Sequence, residues 1–162
     1  MTGVQTCALP IYGPGGELIG KRVRMNIDDH GGIVMRRAPA DQSRNADLAR
    51  GLPEVVNPVM GADRVFLPLI VLGELRAGFQ VGARSRQNER MLTRFLNSPR
   101  VRLLLPDEQT THHYAALFAQ LRRQGTPIPT NHLWIAALVI QHDLVLLARD
   151  EHFDHIAQLP RM

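Results

Sequence analysis

Three short runs dominated by apolar residues, Val65–Leu67, Val101–Leu105 and Leu144–Ala148, are separated by segments long enough for one or two helices. A strand covered on both faces reads as a nearly continuous apolar run, and helices between such strands are the crossovers that a parallel sheet requires. The rhythm restricts the chain to an α/β fold, a small sandwich whose central parallel sheet is covered by helices. The intervening segments carry helix signals. Leu69–Phe79 follows the first run without a break. Gln87–Leu96 ends at Ser98-Pro99, and Asp107 is placed to cap a helix in which Tyr114, Leu117, Phe118 and Leu121 make one apolar stripe. That helix stops at Arg122, Arg123 and Gly125. After the loop Thr126–Pro129, Thr130 or Asn131 caps Leu133–Gln141, which is apolar nearly all round and therefore central.

With 162 residues the chain has the size of one domain, and with 44% apolar and 21% charged residues it has the composition of a globular one. The longest uninterrupted apolar run, Leu133–Ile140, is far short of the roughly 20 residues that a membrane span needs, so no membrane association is expected. The single cysteine, Cys7, has no partner for a disulfide, which suits a reducing interior; a bacterial cytoplasm is the expected location. Lys and Arg number 19 against 15 Asp and Glu, for a net charge of +4, and every basic residue except Lys21 is arginine. Arginine forks suit phosphate, although a charge of this size also serves solubility alone.

The first 40 residues depart from the rhythm. Met1–Ile11, MTGVQTCALPI, resembles the translated read-through of a common sequencing adapter and is set aside as an artefact. Residues 12–40 form a separate N-terminal segment. Its glycine-rich start, Tyr12–Gly20, lacks the strand and helix that a phosphate loop needs. Arg22–Arg37 alternates around Asp29-His30-Gly31-Gly32 like a β-hairpin with Val23, Met25 and Ile27 on one face, and is similar to the C-terminal hairpin of AbrB-type antitoxins. The α/β domain is expected over residues 41–162.

In open parallel sheets the functional crevice lies beyond the carboxyl ends of the strands. Glu74 lies one to two helical turns past the first run, Asp150 follows the third with only Arg149 between, and His132 sits in the first turn of the central helix. Asp41 joins them if a strand precedes it. Each has a plainer explanation: Glu74 as an exposed edge residue or an ion-pair partner of Arg76, Asp150 as the cap of Glu151–Phe153, and His132 as a surface histidine. His112 and His113 diverge on their helix, and His152 and His155 lack further ligands at metal spacing, so a surface position is expected for these four.

From Asp63 onward the segments VFLPLIVLGELRAGF, FLNSPRVRLLLPDEQTTHHYAALFAQLRRQGTPIPTNHLWIAA and LVLLARDEHFDHI closely resemble the PIN-domain toxins of VapBC toxin–antitoxin systems, over about 100 residues. The resemblance implies a PIN-like three-layer sandwich in which four acidic positions gather around Mg²⁺ or Mn²⁺ and cut RNA. Glu74 matches the second position through Val71-Leu72-Gly73-Glu74-Leu75-Arg76-Ala77-Gly78, and Asp150 the fourth through Arg149-Asp150-Glu151-His152-Phe153. Asp41 matches the first, with Asp28 as its rival. At the third position, in Asn131-His132-Leu133-Trp134-Ile135-Ala136-Ala137, histidine stands where the family carries aspartate. Imidazole suits Mn²⁺, Co²⁺ or Zn²⁺ better than Mg²⁺, so a loss of about 10- to 100-fold or more in affinity or activity is expected from His132.

The implied chemistry is metal-assisted phosphodiester hydrolysis, with Arg149, Arg122 and Arg123 as candidates to hold the RNA backbone. A homodimer and a VapB-type antitoxin whose peptide covers the acidic cleft are the implied partners. The alternatives are a catalytically inactive PIN scaffold that binds an antitoxin, and an unrelated α/β phosphate-binding domain whose acidic residues are caps.

Overall fold

The computed structural model describes the backbone of residues 6–9, 23–26 and 33–36 as strands, and residues 64–148 and 150–161 in full. Asp41, Asp28, Tyr12–Gly20 and Arg149 lie outside the described residues. In chain order the elements are β1 (Thr6–Leu9), β2 (Val23–Asn26), β3 (Ile33–Arg36), β4 (Arg64–Pro68), α1 (Leu69–Val81), α2 (Ser85–Leu96), β5 (Val101–Leu104), α3 (Glu108–Gln124), α4 (Thr130–Gln141), β6 (Val145–Leu147) and a 3₁₀ turn, Glu151–His155.

The main sheet has the order β5-β4-β3-β6. β4 and β5 pair in parallel, with Val65 opposite Val101 and Leu67 opposite Leu103. β3 runs antiparallel to both β4 and β6. The three expected strands are therefore mutually parallel, joined by helical crossovers, as the apolar runs require. The antiparallel β3 is a departure from a wholly parallel sheet: it fills the slot between β4 and β6 with residues from the N-terminal segment. The hairpin expected over Arg22–Arg37 does not form as such. Both arms are strands, but β2 pairs with β1, which comes from the segment set aside as an artefact, whereas β3 joins the main sheet.

Burial follows position in the sheet. In β4, Val65 and Leu67 are buried. β5 is the edge strand and is only half covered, with Val101 and Leu104 inward and Leu103 exposed by 42%; Leu105, just past its end, is exposed by 55%. The reading of Val101–Leu105 as a buried strand is corrected accordingly: an edge strand has no neighbour to cover its outer flank.

Among the helices, α4 is the central one: His132, Leu133 and Ile135–Val139 are all buried. α3 lies against it, and its expected apolar stripe splits, because Leu117 and Leu121 are buried while Phe118 is 43% exposed and carries the Arg122 guanidinium over its ring. Tyr114 packs on Trp134 with ring centroids 4.6 Å apart.

The ends of α3 are closed as the sequence indicates. The Asp107 carboxylate accepts from the Thr110 backbone N–H, and the Thr110 hydroxyl accepts from the Asp107 N–H, a reciprocal capping box. Gly125 takes the left-handed conformation at φ 73° after the last turn, and its N–H and that of Thr126 return to the carbonyls of Arg122 and Leu121.

Candidate functional site

β4 and β6 both run opposite to β3, so their carboxyl ends open on the same edge of the sheet. β4 leads directly into α1, whose buried face is Val71, Leu72, Leu75 and Phe79. Glu74 lies on the flank of that face, half-buried, on the first two turns past the strand. β6 leads through Ala148 to Asp150, and α4 begins beside them.

Asp150 divides its work between its oxygens. Oδ1 accepts from the His152 backbone N–H at 2.9 Å, capping the 3₁₀ turn, and also bonds to His152 Nδ1 at 2.6 Å. Oδ2 faces His132 Nε2 at 3.6 Å, longer than a hydrogen bond but within ion-pair range. The Asp150 side chain is 8% exposed, the His132 side chain 1% and the His152 side chain 46%, so the group is closed on one side and open on the other. An ionised carboxylate only accepts, so in a neutral His152 ring Nδ1 carries the proton and Nε2 keeps its lone pair. The His132 ring packs on Phe153 and His152, with centroids 4.9 Å and 5.3 Å away, which fixes its plane.

Glu74 joins through Asn131. The Asn131 amide donates to Glu74 Oε1 at 2.6 Å, so the residue expected to cap α4 is used on a neighbouring helix; Pro129 stands at the cap position, with no side-chain cap bond. The alternative reading of Glu74 as a partner of Arg76 is overturned, because Arg76 pairs with Glu89 at 2.9 Å. Glu74 Oε2 is buried and accepts no hydrogen bond from the described residues.

The structure thus brings Asp150 and His132 together and ties Glu74 to the residue preceding His132. His152 holds the surface position expected of it, but it does not lack neighbours at metal spacing, because it joins the group. One ligand atom each from His132, Asp150 and His152 lie within 4.8 Å of one another. His112, by contrast, is exposed and among the described residues pairs only with Glu108 on its own helix. His152 is legible only through its turn: an aspartate bonded to the N–H two residues on brings that residue's side chain back over its carboxylate. Asn131 carries a cap signal in the sequence, and that signal conceals its role toward Glu74.

Two imidazoles and one carboxylate suit a borderline divalent cation better than Mg²⁺, which demands oxygen donors in octahedral geometry. The orphaned Glu74 oxygen is a further oxygen donor at the same edge of the sheet.

The PIN domain model matches residues 41–159. Ribonuclease VapC1 of Haemophilus influenzae (strain R2866) is 31% identical over 109 residues, which is 67% of this chain and 80% of that protein. A chain in the structure of VapBC-1 from nontypeable Haemophilus influenzae superposes with a TM-score of 0.56 at 28% identity, covering 73% of this chain and 81% of that one. A chain of VapBC2 from Rickettsia felis, bound to a DNA fragment from their promoter, superposes with a TM-score of 0.55 at 28% identity over 60% of this chain and 72% of its own length. A family match across most of the chain, a VapC relative at this level of identity and a shared fold agree: the chain belongs to the VapC branch of the PIN-domain family.

Proposed function

We propose that the chain is the ribonuclease toxin of a bacterial toxin–antitoxin pair, acting in the cytoplasm and hydrolysing RNA phosphodiester bonds with a divalent cation at Asp41, Glu74, His132 and Asp150. The observation that carries this reading is the group at the carboxyl edge of the sheet: Asp150 against buried His132, with Glu74 held by Asn131 and keeping one buried oxygen that accepts no hydrogen bond from the described residues. A bound cation lowers the pKa of water and offsets charge developing on the phosphate. The chain's own contribution is to fix the donors. Asn131 orients Glu74, the turn at Asp150 locks its carboxylate, and Phe153 holds the His132 ring. His152 adds a nitrogen donor at the open side. Residues 41–162 carry the site in this reading, in line with the span of the family match, and β3 completes their sheet between β4 and β6.

Of the two cations expected from the family, Mn²⁺ is favoured over Mg²⁺ because imidazole stands where an oxygen ligand is expected. The partners are an RNA substrate, a VapB-type antitoxin, supported by the VapBC structures that share the fold, and a second copy of the chain in a homodimer. No helix among the described residues is long and apolar enough to cross a membrane.

His132 also favours a second reading, a disabled PIN scaffold that retains only antitoxin binding. The two separate on cleavage of a tRNA pool and on Mn²⁺ binding read by electron paramagnetic resonance, with the chain as written beside His132→Asp. Cutting by both forms, with Mn²⁺ bound by the chain as written, supports the nuclease. Cutting only by His132→Asp means the disabled scaffold.

A further inference from the structure

A groove of about 730 Å³ opens on the outer face of α1 and α2, lined chiefly by Arg76, Gln80, Arg86, Glu89, Arg90 and Arg94. Arg86, Arg90 and Arg94 are spaced four residues apart, so they stack on one side of α2, about 6 Å between neighbours along the axis. The opposite side of α2 turns Met91, Leu92 and Phe95 to the core. Glu89, the single acid among the described lining residues, is neutralised by Arg76 at 2.9 Å. The other three arginines are exposed and form no ion pair or hydrogen bond with the described residues. Like charges four apart weaken a helix, so local helix stability does not account for this row.

We propose that this groove is a second RNA-binding surface, a seat for the phosphodiester backbone of the strand flanking the cut. The proposal rests on the ribonuclease reading above. Guanidinium forks pair with phosphate oxygens, and three in a row present repeated positive charge at a spacing comparable with that of phosphates along a strand. Among the described residues the lining holds no aromatic side chain, so they offer bases no stacking platform and the recognition proposed is of the backbone, independent of sequence. An acidic peptide is the less suitable occupant, because peptide docking relies on buried apolar anchors and none of the exposed large apolar residues, such as Leu69, Val81 and Phe118, lines the groove.

Position links groove and site. Glu74 and Arg76 are two residues apart on α1 and so leave the helix on opposite flanks, Glu74 toward Asn131 on α4 and Arg76 toward Glu89 on α2. A strand crossing α1, about 10 Å wide, reaches from one to the other. RNA of several nucleotides engages both, whereas a dinucleotide engages the cleavage site alone.

The test is fluorescence anisotropy of a labelled oligouridylate of about 20 nucleotides with the full chain in excess chelator, where binding is read without cleavage. Arg86→Gln with Arg90→Gln is expected to lose about tenfold in affinity, and the slope of log affinity against log salt is expected to shrink by about 1.4, at roughly 0.7 for each phosphate no longer neutralised. Arg64→Gln with Arg102→Gln removes the same charge from exposed positions on β4 and β5, outside the groove, and is expected to change affinity less than about twofold. Arg86→Lys with Arg90→Lys, which keeps the charge, is expected to retain most of the affinity. Equal losses from the two glutamine pairs, an unchanged slope in the α2 pair, a lysine pair as weak as its glutamine counterpart, or tighter binding of polyglutamate than of RNA would each overturn the proposal. A chain that binds RNA through these arginines yet never cuts it sinks the ribonuclease reading and leaves the groove standing. A chain that cuts, with its α2 glutamine pair binding like the original, sinks the groove alone.

Discussion

Glu74 reaches the site through one neighbour, and that neighbour carries no charge. The Asn131 amide holds Oε1 at 2.6 Å, which leaves the direction of Oε2 set by a single hydrogen bond. Asn131→Ala is expected to lower RNA cleavage about tenfold with little change in thermal midpoint, since residues that orient ligands typically carry 10- to 100-fold of a site's function. Parallel cleavage assays and thermal melts check it. Glu74 and Asp150 are legible in the sequence because each follows an apolar strand at a distance the fold fixes. The contact of His152 with His132 is not, because it depends on a turn at Asp150 and on α4 arriving from 20 residues earlier in the chain. Asp150 caps the turn with Oδ1 and turns Oδ2 toward His132, so the cap and ligand readings of Asp150 are compatible rather than rival.

At the level of single elements, α3 shows how local chemistry fixes a boundary. Thr110 is fully buried, and its hydroxyl donates to Gln141 Oε1 at 2.5 Å while accepting from the Asp107 N–H. Thr110→Val is expected to cost about 1–2 kcal/mol, measured by urea unfolding, because it leaves those groups unsatisfied. The Gln141 amide, and after it the Thr110 N–H, hold the Asp107 carboxyl below its usual 3.8. A carboxyl depressed in the folded state adds stability above its unfolded value, and that contribution is lost as pH falls through the folded value. Acid titration of stability from about pH 5 downward is therefore expected to be shallower in Gln141→Leu than in the original chain.

At the other end of α3, Gly125→Ala meets no steric neighbour but inherits a φ of 73°, and is expected to cost about 1 kcal/mol by the same unfolding measurement. Both ends of this helix are legible, since Asp and Gly carry their reasons locally. The half-exposed face of β5 is not, because being an edge strand is a property of the sheet order and not of the residues themselves.

For the whole molecule, the three parallel strands and the central α4 follow from periodicity alone, and the core they enclose contains Leu67, Leu138 and Leu146. The antiparallel β3 could not be read in advance: its residues show the alternation of a hairpin arm, and alternation says nothing about which strand it will meet. Leu138→Ala, at a fully buried position, is expected to cost about 2–5 kcal/mol, a cavity penalty that unfolds the domain without touching the site.

A cation-dependent RNA-cleaving site at the carboxyl edge of this sheet stands or falls on cleavage of a labelled tRNA pool in Mn²⁺, with and without chelator, by the full chain and by Glu74→Gln. The expected result is cutting in Mn²⁺ that chelator stops and that Glu74→Gln loses by at least about 100-fold while its thermal midpoint holds. Cutting that survives chelator, cutting of undiminished rate by Glu74→Gln, or no cutting by the folded chain in any divalent cation would contradict it.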